Sequence, residues 1–231
     1  MSKATRIRAV FFDIDNTLFP TDEFAAFARK SAIRAMVREG LPCTDAKAYS
    51  LLVKVVKKYG PNCPTHFDLV LKELHIKRDP RLIASGVAAY HSAKRSLTPY
   101  PDVPGTLRLL RKLGFHTYAL SRGVDVKQWD KIILLGLAHL FDGVFVAQMK
   151  DARFYARALN SLHLKPSEAV MVGDNPRLDI LPAKQAGIAA IHFMKGRHSR
   201  DPGGKKADFR IRTMRELIPI LRKLRKRPED A

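Results

Sequence analysis

The chain has 231 residues, enough for one α/β core and a smaller inserted unit. Its 46% hydrophobic and 28% charged content is ordinary for a globular protein, and no apolar run approaches the roughly 18 residues of a spanning helix. A balance of 42 Lys plus Arg against 22 Asp plus Glu, or +20, favours anionic ligands and permits nonspecific nucleic-acid or membrane-surface contact, but no zinc-finger spacing, RNA-recognition signature or aromatic platform accompanies it.

Met1–Arg6 lead straight into an apolar stretch with no room for a cleavable leader, so the expected compartment is the cytoplasm. Cys43 and Cys63 lack metal-ligand spacing and are expected as free thiols in that compartment.

The first element is Ala9-Val-Phe-Phe12, a short apolar run that reads as a buried strand. It ends in Asp13-Ile-Asp15-Asn16-Thr17. Side chains repeat every two residues in extended chain, so Asp13 and Asp15 leave the strand on one side. Two carboxylates so close need a cation or a shared proton. Asn16 and Thr17 suit a tight turn that holds them.

From about Thr21 to Thr98 the periodicity is helical. The first helix ends before Gly40 and Pro42, and the second runs from Thr44 to Gly60-Pro61. A third centres on Phe67–Leu74, and the fourth opens with Asp79-Pro80 as cap and first-turn proline. Strands then return at Phe115–Leu120, Val144–Val146, Ala169–Val172, Ile188–His192 and Phe209–Ile211, separated by helices. Asp125 with Gln128, and Thr213 with Glu216, read as capping boxes. The glycine-rich loop from Lys195 to Lys206 reads as flexible and the tail from Arg225 as frayed. Alternating strands and helices predict an α/β fold, a doubly wound Rossmann-like parallel sheet with an inserted all-α cap. The expected division is core 1–20, cap 21–98 and core 99–231.

In such sheets the chemistry lies at the carboxyl ends of strands. Asp13 with Asp15, Ser121 and Asp174 all follow strands. Oxygen-only ligands suit Mg²⁺, and no His or Cys stands by to favour zinc. Asp179, at the start of the helix after Asp174, either caps that helix or orients Asp174.

The set Asp13-x-Asp15-x-Thr17, Ser121 after a strand, and Gly173-Asp174-x4-Asp179 resembles the haloacid dehalogenase superfamily, in particular its phosphatase subgroup with an α-helical cap and archaeal-type members of it. Val126-Lys-Gln-Trp129 and Leu181-Pro-Ala-Lys-Gln-Ala-Gly187 extend the likeness over nearly the whole chain. The resemblance implies that Asp13 attacks phosphorus and Asp15 carries the proton. It implies that Asp13, Asp174 and the Asp15 carbonyl hold Mg²⁺, and that Ser121 binds phosphate. Asp15 favours phosphate over halide, since halide departure needs no proton. Arg122-Gly123 stands where the family has Asn-Gly, so Arg122 either adds a phosphate contact or faces solvent. The family's Lys-Pro is absent; Lys150 is assigned the cation's role, with Arg153 as the substitute.

The implied function is Mg²⁺-dependent hydrolysis of a small phosphorylated metabolite through an aspartyl-phosphate. The alternative is a catalytically weakened member that binds RNA or other anions through its basic surface. A mutase would need a cap residue to rebind the intermediate, and none is recognisable. Phe24, Tyr49, His66 and His91 are left without a role, and the oligomeric state is not legible.

Overall fold

The computed structural model of the chain describes residues 7–225; the end of the tail read above as frayed, from 226 on, lies outside them. The chain forms two compact units, one of residues 1–22 and 98–231 and the other of Glu23–Leu97.

The first unit carries a sheet of parallel strands in the order β3-β2-β1-β4-β5-β6. They are β1 (Ala9–Phe12), β2 (His116–Arg122), β3 (Gly143–Ala147), β4 (Ala169–Gly173), β5 (Ala189–Phe193) and β6 (Phe209–Ile211). Every residue of β1 and β4 is buried, which is why neither shows apolar–polar alternation. The chain winds outward from β1 to β3, then returns to β4 and winds the other way. The expected doubly wound Rossmann-like sheet is thus present, with its topological switch between β1 and β4.

Helices α5 (Val103–Lys112), α6 (Asp125–Leu134), α7 (Ala152–Ser161), α8 (Leu181–Gln185) and α9 (Leu217–Arg225) belong to this unit. Phe11, Leu120, Tyr155, Met171 and Ile180 share one core with Phe154 and Leu159 of α7 and Ala183 of α8. Fully burying a side chain such as Phe11 is worth about 2–3 kcal/mol, so the sheet's centre is its most strongly held part.

The second unit is helical. It holds α1 (Thr21–Arg38) from Glu23 on, α2 (Asp45–Tyr59), α3 (His66–Glu73) and α4 (Pro80–Ala93). Thr44 caps α2, accepting from the Lys47 N–H, and Asp79 caps α4 with Pro80 in its first turn. Ile33, Met36, Leu52, Val55, Val70, Leu71 and Leu82 form its core. Gly86 lets α4 approach α1, since a Cβ there would lie 2.9 Å from the Met36 sulfur. Both cysteines lie here, half-buried and free. No helix among the described residues is long and apolar enough to cross a membrane.

Three local expectations need revision. The Asp125–Gln128 capping box does not form. Val124 is the cap residue, and the Gln128 amide instead donates to the Arg122 carbonyl at 2.7 Å, across the left-handed turn at Gly123 (φ 130°). The helix expected after Asp174 begins as a π-helical turn, Pro176–Ile180, capped by Asn175. The loop from Lys195 to Lys206 is folded, with short helical turns at Gly196–His198 and Pro202–Lys206. Its glycines serve close approach: a Cβ on Gly204 would lie 2.2 Å from His192 Nδ1, and one on Gly196 2.8 Å from Asn16. The Thr213–Glu216 box is present ahead of α9.

Candidate active site

Parallel register sets the site. Phe12 pairs with Ala119 of β2 on one side and Val172 of β4 on the other, so Asp13, Ser121 and Asp174 all leave the sheet at its carboxyl edge. The Asp13 N–H donates to the Val172 carbonyl at 2.9 Å. The Asp174 N–H donates to Thr17 Oγ1 at 3.1 Å, which ties the turn after β1 to the turn after β4. Asn16 sits in the left-handed region (φ 56°), and this bend turns Thr17 back beneath the strand ends. Asp13, Thr17, Ser121 and Asp174 are all buried, whereas Arg122, one residue on from Ser121, is exposed.

Lys150 comes to the same place from the loop after β3. Its Nζ lies 2.7 Å from Asp13 Oδ1 and also contacts Asp179 Oδ1. The Lys150 side chain is 1% exposed. Arg153 is exposed on α7, beyond Asp151, which caps that helix and accepts from the Phe154 N–H. Of the two cations considered, the structure therefore brings Lys150 alone to the carboxylates.

Asp179 does not cap a helix, since Asn175 does so. The π-helical turn carries Asp179 back under β4, where its Oδ2 accepts from the Asn175 N–H at 2.9 Å and its Oδ1 receives Lys150. Gly173 makes this possible: a Cβ there would lie 2.4 Å from the Asp179 carboxyl. π-turns of this kind recur at functional sites.

Charge in this cluster does not balance. Asp13, Asp174 and Asp179 bring carboxylate oxygens within 4.8 Å of one another, against the one ammonium of Lys150. Burial, reinforced by the neighbouring acids, pushes the Asp13 carboxyl up to about 7 despite Lys150. Burial and the Asp13 charge push Asp174 up to about 9. Against its burial, the Asp13 and Asp179 carboxylates hold the Lys150 ammonium well above the ordinary lysine range. Asp174 Oδ2 is buried without a hydrogen-bond partner among the described residues. An orphaned carboxylate oxygen beside a half-engaged one is costly unless something positive lies between them. Oxygen donors at this spacing fit a hard divalent cation such as Mg²⁺. Asp13 and Asp174 have oxygens to give it; both oxygens of Asp179 are already engaged.

Asp15 turns to a different partner. Lys131 Nζ, on α6, lies 2.7 Å from Oδ1 and 2.8 Å from Oδ2. Thr21 Oγ1 donates to Oδ1 at 3.0 Å and accepts from the Asn16 N–H at 3.0 Å. Sequence reasoning passed over Lys131, which looks like any helix-face lysine. It also passed over His192, whose Nε2 lies 2.9 Å from the Asp174 carbonyl and braces the turn carrying that acid. The only available signal was the position of His192 at the end of β5. In the helical unit, His66 Nε2 lies 2.8 Å from the Gly60 carbonyl and Tyr49 carries Lys30 over its ring, so both have local structural partners.

Comparison with known proteins agrees with this architecture. The family model for haloacid dehalogenase-like hydrolases matches residues 7–187. The chain is 40% identical to the glyceraldehyde 3-phosphate phosphatase of Methanopyrus kandleri over 95% of this chain and 99% of that protein. It is 37% identical to the protein of the same name from Pyrococcus furiosus, over 94% of this chain and 93% of that one. Among solved structures, a HAD phosphatase from Thermococcus onnurineus is similar at a TM-score of 0.67 and 25% identity, covering 95% of this chain and 100% of that one. A haloacid dehalogenase-like hydrolase from Xanthomonas campestris reaches a TM-score of 0.69 at 19% identity, over 97% and 94% of the two chains. With its parallel sheet, its acidic strand ends and a family match over most of its length, this chain belongs to the haloacid dehalogenase-like hydrolase family.

Proposed function

We propose that this protein is a phosphomonoesterase acting on a small phosphorylated metabolite, with glyceraldehyde 3-phosphate the first candidate because relatives at 33–40% identity carry that activity in their names. The observation that carries the reading is the buried Asp13–Lys150–Asp179 chain beside the unpartnered Asp174 oxygen. It supplies a nucleophile, a fixed positive charge and cation ligands at one strand-end cluster.

The reaction is two in-line displacements. Asp13 attacks phosphorus, the P–O bond to the leaving group breaks, and an aspartyl-phosphate forms. Asp15 gives its proton to the departing oxygen. Water then attacks the phosphorus and returns a proton to Asp15, while the bond to Asp13 breaks and phosphate is released. Lys150 holds the Asp13 carboxylate in place and offsets its repulsion from the phosphate dianion. Ser121 donates to the transferring phosphoryl oxygens, and Arg122 remains at the rim. Asp13, Asp174 and the Asp15 carbonyl would hold Mg²⁺, whose charge offsets the same repulsion. Thr17 and Asp179 support the ligands. We assign substrate selection to the helical segment 21–98, as a cap on the core 1–20 and 99–231. The placement of Lys150 favours this reading over a weakened, RNA-binding member of the family.

A panel of phosphorylated metabolites, assayed with and without Mg²⁺, tests the proposal. Phosphate release is expected with Mg²⁺, at least about a hundredfold above the chelated enzyme, on the scale of lost transition-state charge stabilisation. No turnover of any panel member with Mg²⁺ present would sink it.

The raised carboxyls make a second expectation. Without metal, folded Asp13 (about 7) and Asp174 (about 9) bind protons that an unfolded Asp, at 3.8, does not. Their contribution to stability is therefore present below about 4 and is lost as pH rises through 7 and 9. The rise in Tm on adding Mg²⁺ should grow steadily from pH 5 to pH 9, by thermal unfolding in chelator and in excess Mg²⁺. A constant increment would mean that these carboxyls do not hold the ion.

A further inference from the structure

The mechanism above gives Asp15 the proton, and Asp15 is not a free side chain. Its Oδ1 accepts from Thr21 Oγ1 at 3.0 Å and lies 2.7 Å from Lys131 Nζ, while its Oδ2, among the described residues, meets Lys131 alone, at 2.8 Å. Two donors from different helices therefore set the plane of one carboxylate. Thr21 stands at the start of α1 and Lys131 in the second turn of α6, 116 residues from Asp15.

How Lys131 reaches Asp15 can be read from α6 itself. Gln128 donates to the Arg122 carbonyl at the end of β2, fixing the start of α6 against the strand that carries Ser121. Lys131 is three residues further on, on the same helix face. The contact that anchors the helix thus also aims the ammonium at the turn after β1. The pair is 26% exposed on the lysine and 37% on the aspartate, so as an ion pair it adds little to stability. Nor does it duplicate Lys150, which is buried on Asp13 and Asp179. The two lysines divide the two carboxylates between them.

We propose that Lys131 is a positioning residue for proton transfer: with Thr21 it holds the Asp15 carboxyl so that Oδ2 faces the leaving oxygen of the substrate. The inference rests on the proton-carrying role assigned to Asp15 above. In the first displacement, the electron pair of the breaking P–O bond takes the proton from Asp15 Oδ2. Lys131 and Thr21 then hold the resulting carboxylate in the arrangement seen here. In the second, the attacking water delivers its proton back to Oδ2. Oδ1, occupied by two donors, takes no part in the exchange.

Leaving groups separate alignment of an acid from general support of the fold. Benzyl phosphate releases an alkoxide that must be protonated, whereas p-nitrophenyl phosphate releases a phenolate that leaves without a proton. The parameter to follow is kcat/KM, which covers steps up to loss of the leaving group. With Mg²⁺ present, Lys131→Met is expected to lower the benzyl to p-nitrophenyl ratio of kcat/KM by about tenfold or more, part of the 10²–10⁴ that a positioned acid supplies. Lys131→Arg, which can pair with both oxygens, should recover part of that ratio. In an Asp15→Asn background, adding Lys131→Met should change the ratio less than about twofold, because the lysine acts through the acid. Equal losses on both esters, no loss, or an undiminished effect in the Asp15→Asn background would each overturn the inference. Wild-type protein inactive on both esters would overturn the phosphatase reading with it, whereas active wild type with an unchanged ratio in Lys131→Met overturns this inference alone.

Discussion

Asp13→Asn is expected to lower phosphate release from p-nitrophenyl phosphate by about 10⁴-fold or more, the scale at which an enzyme loses its nucleophile. An amide cannot accept the phosphoryl group, and no neighbour can take over. Asp174 and Asp179 are held by the turn after β4, and Asp179 has both oxygens committed to Lys150 and the Asn175 N–H. The substitution keeps shape and volume at a buried strand end and leaves Lys150 paired to Asp179. It also removes one negative charge from a cluster short of positive ones. The protein should therefore stay folded, with a thermal midpoint at or above that of the wild type. Folded Asp13→Asn that keeps more than about a thousandth of wild-type turnover would refute the nucleophile assignment.

The second large effect is expected at Lys150, where activity and stability fall together. Lys150→Met keeps most of the volume and removes the ammonium from between Asp13 and Asp179. Removing one partner of a buried ion pair costs about 3 kcal/mol or more, because the remaining charge is left in a poorly solvated place. Here two carboxylates are left, and Asp13, whose carboxyl burial raises and Lys150 lowers, takes up a proton instead. The destabilisation should consequently be smaller at pH 5 than at pH 8, measured by urea unfolding without metal. Turnover should drop by about 10³-fold, since a fixed charge beside the transferring phosphoryl is lost. Arg153→Met, on the exposed face of α7, should change turnover less than about twofold. Equal effects of the two substitutions would show that Lys150 is not the cation of this site.

Much of the architecture was legible because it is written locally. Apolar runs without alternation, most of them followed by a helical period, are what a parallel sheet covered on both faces requires. Asp13, Ser121 and Asp174 could be read as neighbours for the same reason: each follows a strand directly, and parallel pairing in register carries all the strand ends to one edge. Two expectations failed for the opposite reason. Gln128 had the spacing of a capping box, but a carbonyl at the end of β2, adjacent in space, won its amide. The glycines from 196 to 204 read as flexibility, whereas Gly196 and Gly204 are close approaches to Asn16 and His192, which no local pattern announces.

What the sequence determined by itself is the sheet, its winding and the acidic half of the site, through hydrophobic period and residues adjacent to strand ends. Which cations meet those acids was settled by tertiary structure: the sequence offered Lys150, with Arg153 as its substitute, and did not single out Lys131. Lys150 lies 137 residues from Asp13, and Lys131 lies 116 from Asp15. A lysine's reach depends on the rotation of its helix or the path of its loop once the sheet has closed, and nothing in its flanking residues encodes that. The family likeness pointed to the loop lysine, and nothing pointed to the helix-face one. Only the fold sets one beside Asp15 and buries the other between Asp13 and Asp179.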